Sequence, residues 1–164
     1  DYVQIERGVH FTWHGPGQLV MYPIVKLGGT SKTGTKVGQD IDGWVRFQEK
    51  VWSGVFARWG LETHTQPGGS GVWIKHGEVN SLSLERKLVS VGIALRKWVS
   101  YHGTAGNINN DPAAFLGFDP CGFESAVMIR ARDLKEIPNE MFGADWRARW
   151  ERMLVESIQR ILST

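Results

Sequence analysis

Apolar side chains recur at helical spacing in two stretches of the chain. The first follows Asp40, a residue suited to capping a helix, and ends at Gly60. The second follows Asp145 and places one apolar stripe along residues 146–162. Both stretches are predicted to form amphipathic helices, each covering a hydrophobic surface. Their apolar positions are Ile41, Trp44, Val45, Val51, Trp52, Val55, Phe56 and Trp59 in the first, and Trp146, Trp150, Met153, Leu154, Ile158, Ile161 and Leu162 in the second.

Much of the remaining chain has the pattern of β-strands. Apolar runs or alternating positions predict strands over residues 2–13, 19–25, 71–75, 87–95 and 98–101. Glycine-rich or polar stretches over residues 28–39, 63–70 and 76–85 are predicted to connect them. Several strands combined with two long helices indicate an α+β fold, a mixed or antiparallel sheet flanked by helices.

The composition restricts the function classes. A length of 164 residues with 41% hydrophobic and 22% charged residues fits a single globular domain. The formal net charge of +2 argues against a dedicated nucleic-acid binder, and most of the eight tryptophans fall on apolar faces, which favours a role in the core. No apolar run approaches about 18 residues, so no membrane span is predicted.

Cys121 and Lys87 are the residues best suited to chemistry. Cys121 is the single cysteine, between Pro120 and Gly122, so an internal disulfide and a cysteine-rich zinc site are excluded. A nucleophile on a bend and a buried small apolar residue both fit this position. Lys87 begins an apolar stretch, and burial favours the neutral form of an amine, which can serve as a general base. An ordinary surface lysine beside Arg86 is the alternative.

The histidines predict no metal site. Of the five, His14 and His102 are each followed by glycine at the end of a predicted strand, where either could pair with a cysteine. No two histidines have the short spacing of a zinc-binding pair, so no metal and no cofactor are predicted.

Several motifs, taken in order, resemble the signature of the octanoyltransferases, the lipoyl(octanoyl) transferases of lipoate biosynthesis. The resemblance runs from about Arg7 to Gly122, and 121 − 87 = 34 positions separate Lys87 from Cys121, as in that family. Gly106 stands where the family has a leucine. The matching segments are Arg7-Gly8, Thr12 to Val20, Tyr22 to Ile24, Gly71-Val72-Trp73, Lys87 with Gly92, Trp98, His102-Gly103 with Ala105 and Asn107, and Pro120-Cys121-Gly122.

The resemblance implies a fold similar to that of lipoate and biotin protein ligases. It implies that Cys121 takes an octanoyl group from octanoyl-acyl carrier protein as a thioester, and that Lys87 holds the thiolate and manages protons. No cofactor or metal is implied. The implied substrate-contacting residues are Arg7, Gly8, Val9, His10, Phe11, Thr12, Trp13, His14, Ser90, Val91, Gly92, Gly103, Thr104 and Ala105, with His102 and Asn107 as support.

The resemblance also implies partners and a compartment. The acceptors would be lysines of lipoyl domains in 2-oxoacid dehydrogenase complexes and of the glycine cleavage H protein, and no nucleic acid or membrane is involved. Residues 1–164 are expected to be a single, monomeric octanoyltransferase-like domain without the N-terminal portion of the family domain. The long connections 28–39 and 76–86 favour a mitochondrial matrix protein if the source is eukaryotic, and a cytoplasmic one otherwise.

Two alternatives stay open. One is a non-catalytic relative that binds acyl groups or carrier domains. The other is an ATP-dependent lipoate or biotin ligase, which activates a carboxylate as an adenylate and needs no nucleophilic cysteine. No glycine- and arginine-rich nucleotide loop is recognisable in the sequence, which disfavours the ligase.

Overall fold

The described part of the chain forms one five-stranded antiparallel sheet. The structure, a computed structural model, describes residues 13–29, 38–79, 81–116 and 125–163. The strands follow the order β1-β5-β4-β3-β2, and every neighbouring pair is antiparallel. Their bounds are Gln18–Met21 (β1), His64–Gln66 (β2), Gly69–Val79 (β3), Leu82–Arg96 (β4) and Val99–Asn107 (β5).

Both predicted helices are confirmed. Helix α1 spans Ile41–Phe56, and the Asp40 carboxylate caps it by accepting a 2.9 Å hydrogen bond from the amide of Gly43. Gly60, at φ +71°, ends the stretch in the left-handed conformation that favours glycine. Helix α2 spans Trp146–Leu162. Short 3₁₀ helices cover Ala57–Trp59, Pro112–Phe115, Ser125–Val127, Ala131–Asp133 and Asn139–Phe142.

The two helices share one buried cluster with one face of the sheet. Their amphipathic stripes supply its aromatic centre, where the Phe56 and Trp150 ring centroids lie 5.9 Å apart edge to face. Val72 and Ile74 of β3 and Leu88 and Val89 of β4, beside an irregularity in the ladder, supply the sheet side. The predicted core role of these tryptophans is confirmed, with Trp44, Trp52 and Trp150 all buried. Other members include Val51, Val55, Met153 and Leu154.

Strands β3, β4 and β5 are longer than the sequence predicts, and the predictions for two connections are wrong. The predicted polar connection 76–85 is the outer part of a long β3–β4 hairpin, and the predicted loop 63–70 contains β2. Residues at the hairpin tip are exposed, as at Leu82, so no alternation of apolar and polar positions marks these strands. The turn predicted at Arg96-Lys97 occurs at Lys97 and Trp98, both with positive φ, as a two-residue hairpin turn requires.

One predicted strand is shorter in the structure, and another lies almost entirely outside the described residues. Strand β1 ends at Met21, and the chain then continues beside β5, where Lys26 forms an isolated bridge with Val99. The strand predicted over residues 2–13 lies outside the described residues except for Trp13, which has no regular structure. No helix in the described ranges is long and apolar enough to cross a bilayer.

Candidate active site

Lys87 is buried in β4 beside an aromatic ring. The residue is 2% exposed and pairs with Trp73 across the β3–β4 ladder. Its Nζ atom lies 5.0 Å from the centroid of the Trp73 ring, close enough for a cation–π contact. The indole Nε1 of Trp73 donates a 3.1 Å hydrogen bond to the Gly69 carbonyl, which fixes the ring. The alternative of an ordinary surface lysine is therefore wrong.

Gly71 provides the space for the Lys87 side chain. A Cβ atom at Gly71 would come within 2.6 Å of Lys87 Cε and 2.4 Å of the Val89 carbonyl oxygen. Gly71 also has φ +147°, a conformation that side-chain-bearing residues rarely adopt. The ladder is irregular next to it, between Val72 and Trp73, as at a β-bulge. The irregular strand and the missing side chain together create the site in which the lysine lies.

A row of small residues starts at this point and crosses the sheet. Gly71 pairs with Ser90, Ser90 with Ala105, and Ala105 with Val20, so these residues are neighbours across four strands. Paired residues project from the same face of a sheet. Two positions further along the strands, Gly92 pairs with Gly103. The structure thus places the two predicted segments, 90–92 and 103–105, side by side in β4 and β5.

The residues between these rows have a structural role as well. The Thr104 hydroxyl accepts a 2.8 Å hydrogen bond from Trp52 Nε1 of α1 and is buried on the helix side of the sheet. Gly106, where the resembled family has leucine, lies directly beneath the Trp52 ring, since a Cβ there would come within 2.4 Å of Trp52 Cη2. The indole therefore fills the space beside Gly106.

Polar side chains link the predicted His14 and Asn107 to the strand that carries Lys87. His14 Nδ1 lies 3.2 Å from Gln18 Oε1, and Gln18 Nε2 donates to Asn107 Oδ1 at 2.9 Å. Asn107 Nδ2 lies 3.9 Å from Met128 Sδ, and Met128 forms a parallel bridge with Lys87. Gln18, in the middle of this chain of contacts, was not predicted as a site residue, although it lies within a motif that carries the resemblance.

His102 lies in a different part of the sheet. It pairs with Ile93, which is 93 − 87 = 6 positions along β4 from Lys87, a separation of about 20 Å. Its ring contacts Tyr22 edge to face, with centroids 5.8 Å apart, and its φ is +60°. The structure therefore separates His102 from Lys87.

The segment that follows the cysteine motif runs along β4 at Lys87. Arg86 Nη1 donates to the Ala126 carbonyl, and the Ile129 amide donates to the Lys87 carbonyl at 3.1 Å. Cys121 itself and the predicted residues Arg7, Gly8, Val9, His10, Phe11 and Thr12 lie outside the described residues.

An ion pair holds the next part of this segment. Arg130 donates to both carboxylate oxygens of Asp133, and its Nη1 donates to the Asn110 carbonyl at 2.8 Å. The hydrogen bond from Arg130 holds the pKa of the Asp133 carboxyl below its usual range, because it stabilises the charged form. These contacts join residues 130–133 to the loop after β5, beside the turn that contains His14.

Glu49 is a second residue that the sequence did not reveal. Its carboxylate, on α1, is buried and accepts a 2.8 Å hydrogen bond from the Gly71 amide and a 2.6 Å bond from Arg46. Its strand partner is 71 − 49 = 22 positions away, so no local pattern marks it. Within the described ranges, no group of three histidine, cysteine or acidic side chains could hold a metal ion.

Comparison with known proteins agrees with this geometry. Residues 1–143 match the family described as the lipoyl protein ligase A/B catalytic domain. The chain belongs to this family. It is 40% identical over 143 residues to an octanoyltransferase of Geobacter sp. (strain M21), an alignment covering 87% of this chain and 61% of that protein. It is 30% identical over 155 residues to an octanoyltransferase of Anaplasma marginale, covering 94% of this chain and 67% of that protein.

A solved structure supports the fold assignment. The bipartite lipoate protein ligase of Thermoplasma acidophilum aligns with 96% of this chain and 56% of its own, with a TM-score of 0.55 and 17% identity. That likeness concerns the fold alone, and the expected similarity to the lipoate ligase fold is confirmed. The chain spans 61% of the length of the Geobacter octanoyltransferase and 67% of that from Anaplasma marginale.

Proposed function

We propose that this chain is the catalytic part of an octanoyltransferase. It transfers an octanoyl group from octanoyl-acyl carrier protein to a lysine of a lipoyl domain through a thioester on Cys121. The observation that carries the proposal is the buried Lys87, which lies at the start of the small-residue row from Gly71 to Val20. The family and the octanoyltransferase relatives at 30–40% identity support it.

The position of Lys87 suits it to activate a thiol. Residues 126–129 contact β4 at Lys87, and Cys121 precedes Ala126 by 126 − 121 = 5 positions in the sequence. A nearby ammonium group stabilises a thiolate, and the thiolate is the reactive form of cysteine. We infer that Lys87 serves as this cation, held in place by Trp73 and Gly71.

The reaction has two half-reactions that balance through Lys87. First, the Cys121 thiolate attacks the carbonyl of the donor thioester, the carbon–sulfur bond to the carrier breaks, and the carrier thiolate takes a proton from the Lys87 ammonium. Second, the neutral acceptor amine attacks the Cys121 thioester, and the carbon–sulfur bond to Cys121 breaks. Lys87 accepts the proton lost from nitrogen, which restores the starting ion pair. Each step exchanges one acyl bond for another and needs no ATP.

The small-residue row provides room for a straight alkyl chain. Gly71, Ser90 and Ala105 have small side chains or none, and the paired Gly92 and Gly103 continue this region of small residues along the strands. Backbone at such positions can approach a ligand closely. Arg7 to His14 and the 90–92 and 103–105 segments together form the proposed acyl-binding region.

The proposed partners follow from the reaction. The donor is octanoyl-acyl carrier protein, and the acceptors are the lipoyl domains of 2-oxoacid dehydrogenase complexes and the glycine cleavage H protein. The proposed compartment is the mitochondrial matrix for a eukaryotic source and the cytoplasm otherwise. The hairpin at residues 76–86 removes one of the two long loops that favoured the eukaryotic option.

A transfer assay tests the proposal. The purified chain is mixed with octanoyl-acyl carrier protein and a lipoyl domain, without ATP, and the mass of the lipoyl domain is followed. We expect one octanoyl group per lipoyl domain with the wild-type chain and none with Cys121→Ser, while Lys87→Met is slowed at least about 100-fold.

Other outcomes would contradict the proposal in distinct ways. Transfer that requires ATP and free octanoate would indicate a ligase. Binding of the acyl carrier protein without transfer, by a folded sample, would indicate the non-catalytic relative.

A further inference from the structure

Glu49 is a charged residue of an amphipathic helix, and its carboxylate is buried. It lies on α1 and is 2% exposed, although its neighbour in the ion pair, Arg46, has a side chain that is 58% exposed. Removing a carboxylate from water is costly unless hydrogen bonds replace the lost hydration. The two carboxylate oxygens are each bonded, so the structure meets this requirement.

The two hydrogen bonds point in different directions. Arg46 Nη1 approaches Glu49 Oε2 from the solvent side at 2.6 Å, while the Gly71 amide donates to Oε1 at 2.8 Å from within β3. Glu49 thus ties α1 to one point of the sheet, the irregular stretch of β3 at Gly71.

That point is where the Lys87 side chain lies. A Cβ at Gly71 would be 2.6 Å from Lys87 Cε and 3.4 Å from Lys87 Nζ, so the end of the lysine lies in the space that a side chain at Gly71 would fill. A displacement of Gly71 would therefore open or close the space around Nζ. Catalytic groups lose much of their effect when they are displaced by about 1 Å.

We propose that Glu49 is a positioning residue for Lys87, acting through the Gly71 amide. The carboxylate fixes the part of β3 beside which the lysine lies, and the position of β3 there limits where Nζ can lie. The inference rests on the proposed function, in which Lys87 activates Cys121. Glu49 touches no reacting atom in this account.

The proposal makes the acceptor oxygen, not the negative charge, the essential feature. Glu49→Gln keeps a carbonyl oxygen of the same reach for the Gly71 amide, whereas Glu49→Ala removes it. Arg46→Ala serves as the matched control, because it removes the other partner of Glu49 and leaves the bond to Gly71 in place.

The test measures the thiol directly. The rate of alkylation of Cys121 by iodoacetamide is recorded against pH, together with the single-turnover rate of octanoyl transfer to Cys121 and the urea midpoint. For Glu49→Ala we expect a higher apparent pKa of the alkylation profile and an acylation rate about 10- to 100-fold lower at saturating donor. Glu49→Gln and Arg46→Ala stay within about threefold of the wild-type rate.

A double variant separates positioning from general destabilisation. If Glu49 acts through Lys87, Glu49→Ala has no further effect on the alkylation profile in a Lys87→Met background. An additive effect, or an unchanged profile for Glu49→Ala, would overturn the proposal, as would a Glu49→Gln variant as slow as Glu49→Ala. If Glu49→Ala does not fold, Glu49→Met, which fills the same space without an acceptor oxygen, takes its place in the comparison with Glu49→Gln.

The same data separate a failure of the proposed function from a failure of the role proposed for Glu49. A wild-type chain that forms no octanoyl adduct contradicts the proposed function. The alkylation profile, which needs no acyl donor, would still show whether Glu49 acts on the thiol through Lys87.

Discussion

Gly106→Ala introduces one methyl group where the sheet packs closely against Trp52 of α1. The added Cβ would lie 2.4, 2.8 and 3.0 Å from three carbon atoms of the Trp52 ring. Trp52 is fully buried, and its Nε1 is bonded to Thr104. Restoring an ordinary contact of about 3.4 Å requires the ring to move by about 1 Å, which close packing resists.

The cost follows from three contributions. Forcing an extra methyl group into a packed core costs about 1–3 kcal/mol. Stretching the 2.8 Å bond from Trp52 to Thr104 costs up to about 1 kcal/mol more. Alanine restricts the unfolded chain and returns about 0.4–1 kcal/mol. The midpoints of these ranges combine to a loss of about 2 kcal/mol in the free energy of unfolding for Gly106→Ala.

Urea unfolding followed by tryptophan fluorescence measures this change. Gly143→Ala is the control, because its added Cβ would meet only the Glu140 carbonyl at 3.6 Å, an ordinary contact. If the indole is the obstacle, Gly106→Ala costs less in a Trp52→Leu background, with a coupling energy of at least about 1 kcal/mol. A Gly106→Ala variant as stable as wild type, or additive effects of the two changes, would refute the reasoning.

Three further predictions concern other contacts. Gly54→Ala should be neutral or destabilising, because its Cβ would lie 2.6 Å from Ser157 Oγ. In a Ser157→Ala background the same change should stabilise the protein by up to about 1 kcal/mol. Chemical unfolding of the four variants measures both effects. Asp133→Asn should cost no more than about 1 kcal/mol at pH 7. Because the folded pKa of Asp133 lies below its unfolded value of 3.8, that difference should persist above pH 4 and disappear as pH falls through the folded pKa, and equal pH profiles for variant and wild type would contradict it. Lys87→Met should have a free energy of unfolding within about 1.5 kcal/mol of wild type in urea unfolding, since Met has similar volume. A much larger loss would show that the ammonium stabilises the fold.

The sequence predicts the elements that bury one face. Helices α1 and α2 have clear stripes because each covers the same core, and their bounds are close to the predicted ones. The outer β3–β4 hairpin is missed because neither face is buried at residues such as Leu82. The periodic spacing of apolar residues arises from the burial of one face, so a strand with both faces exposed lacks this spacing.

The site is only partly predictable, for a related reason. The motifs that carry the resemblance include Gly71, Trp73 and Lys87, and the structure places the lysine beside the Trp73 ring and in the space left by Gly71. Glu49 lies on a polar-looking part of α1, and its role depends on a strand 22 positions later. Contacts between distant segments leave no local signal, so they become visible only when the sheet and the helix are assembled.

The central claim, that Cys121 carries the acyl group, is tested most directly by intact-protein mass after mixing with octanoyl-acyl carrier protein alone. The account predicts a single octanoyl adduct, located on the peptide that contains Cys121, released by hydroxylamine, absent in Cys121→Ser and slow to form in Lys87→Met. No adduct on a folded wild-type chain, or an adduct that persists in Cys121→Ser, would contradict it.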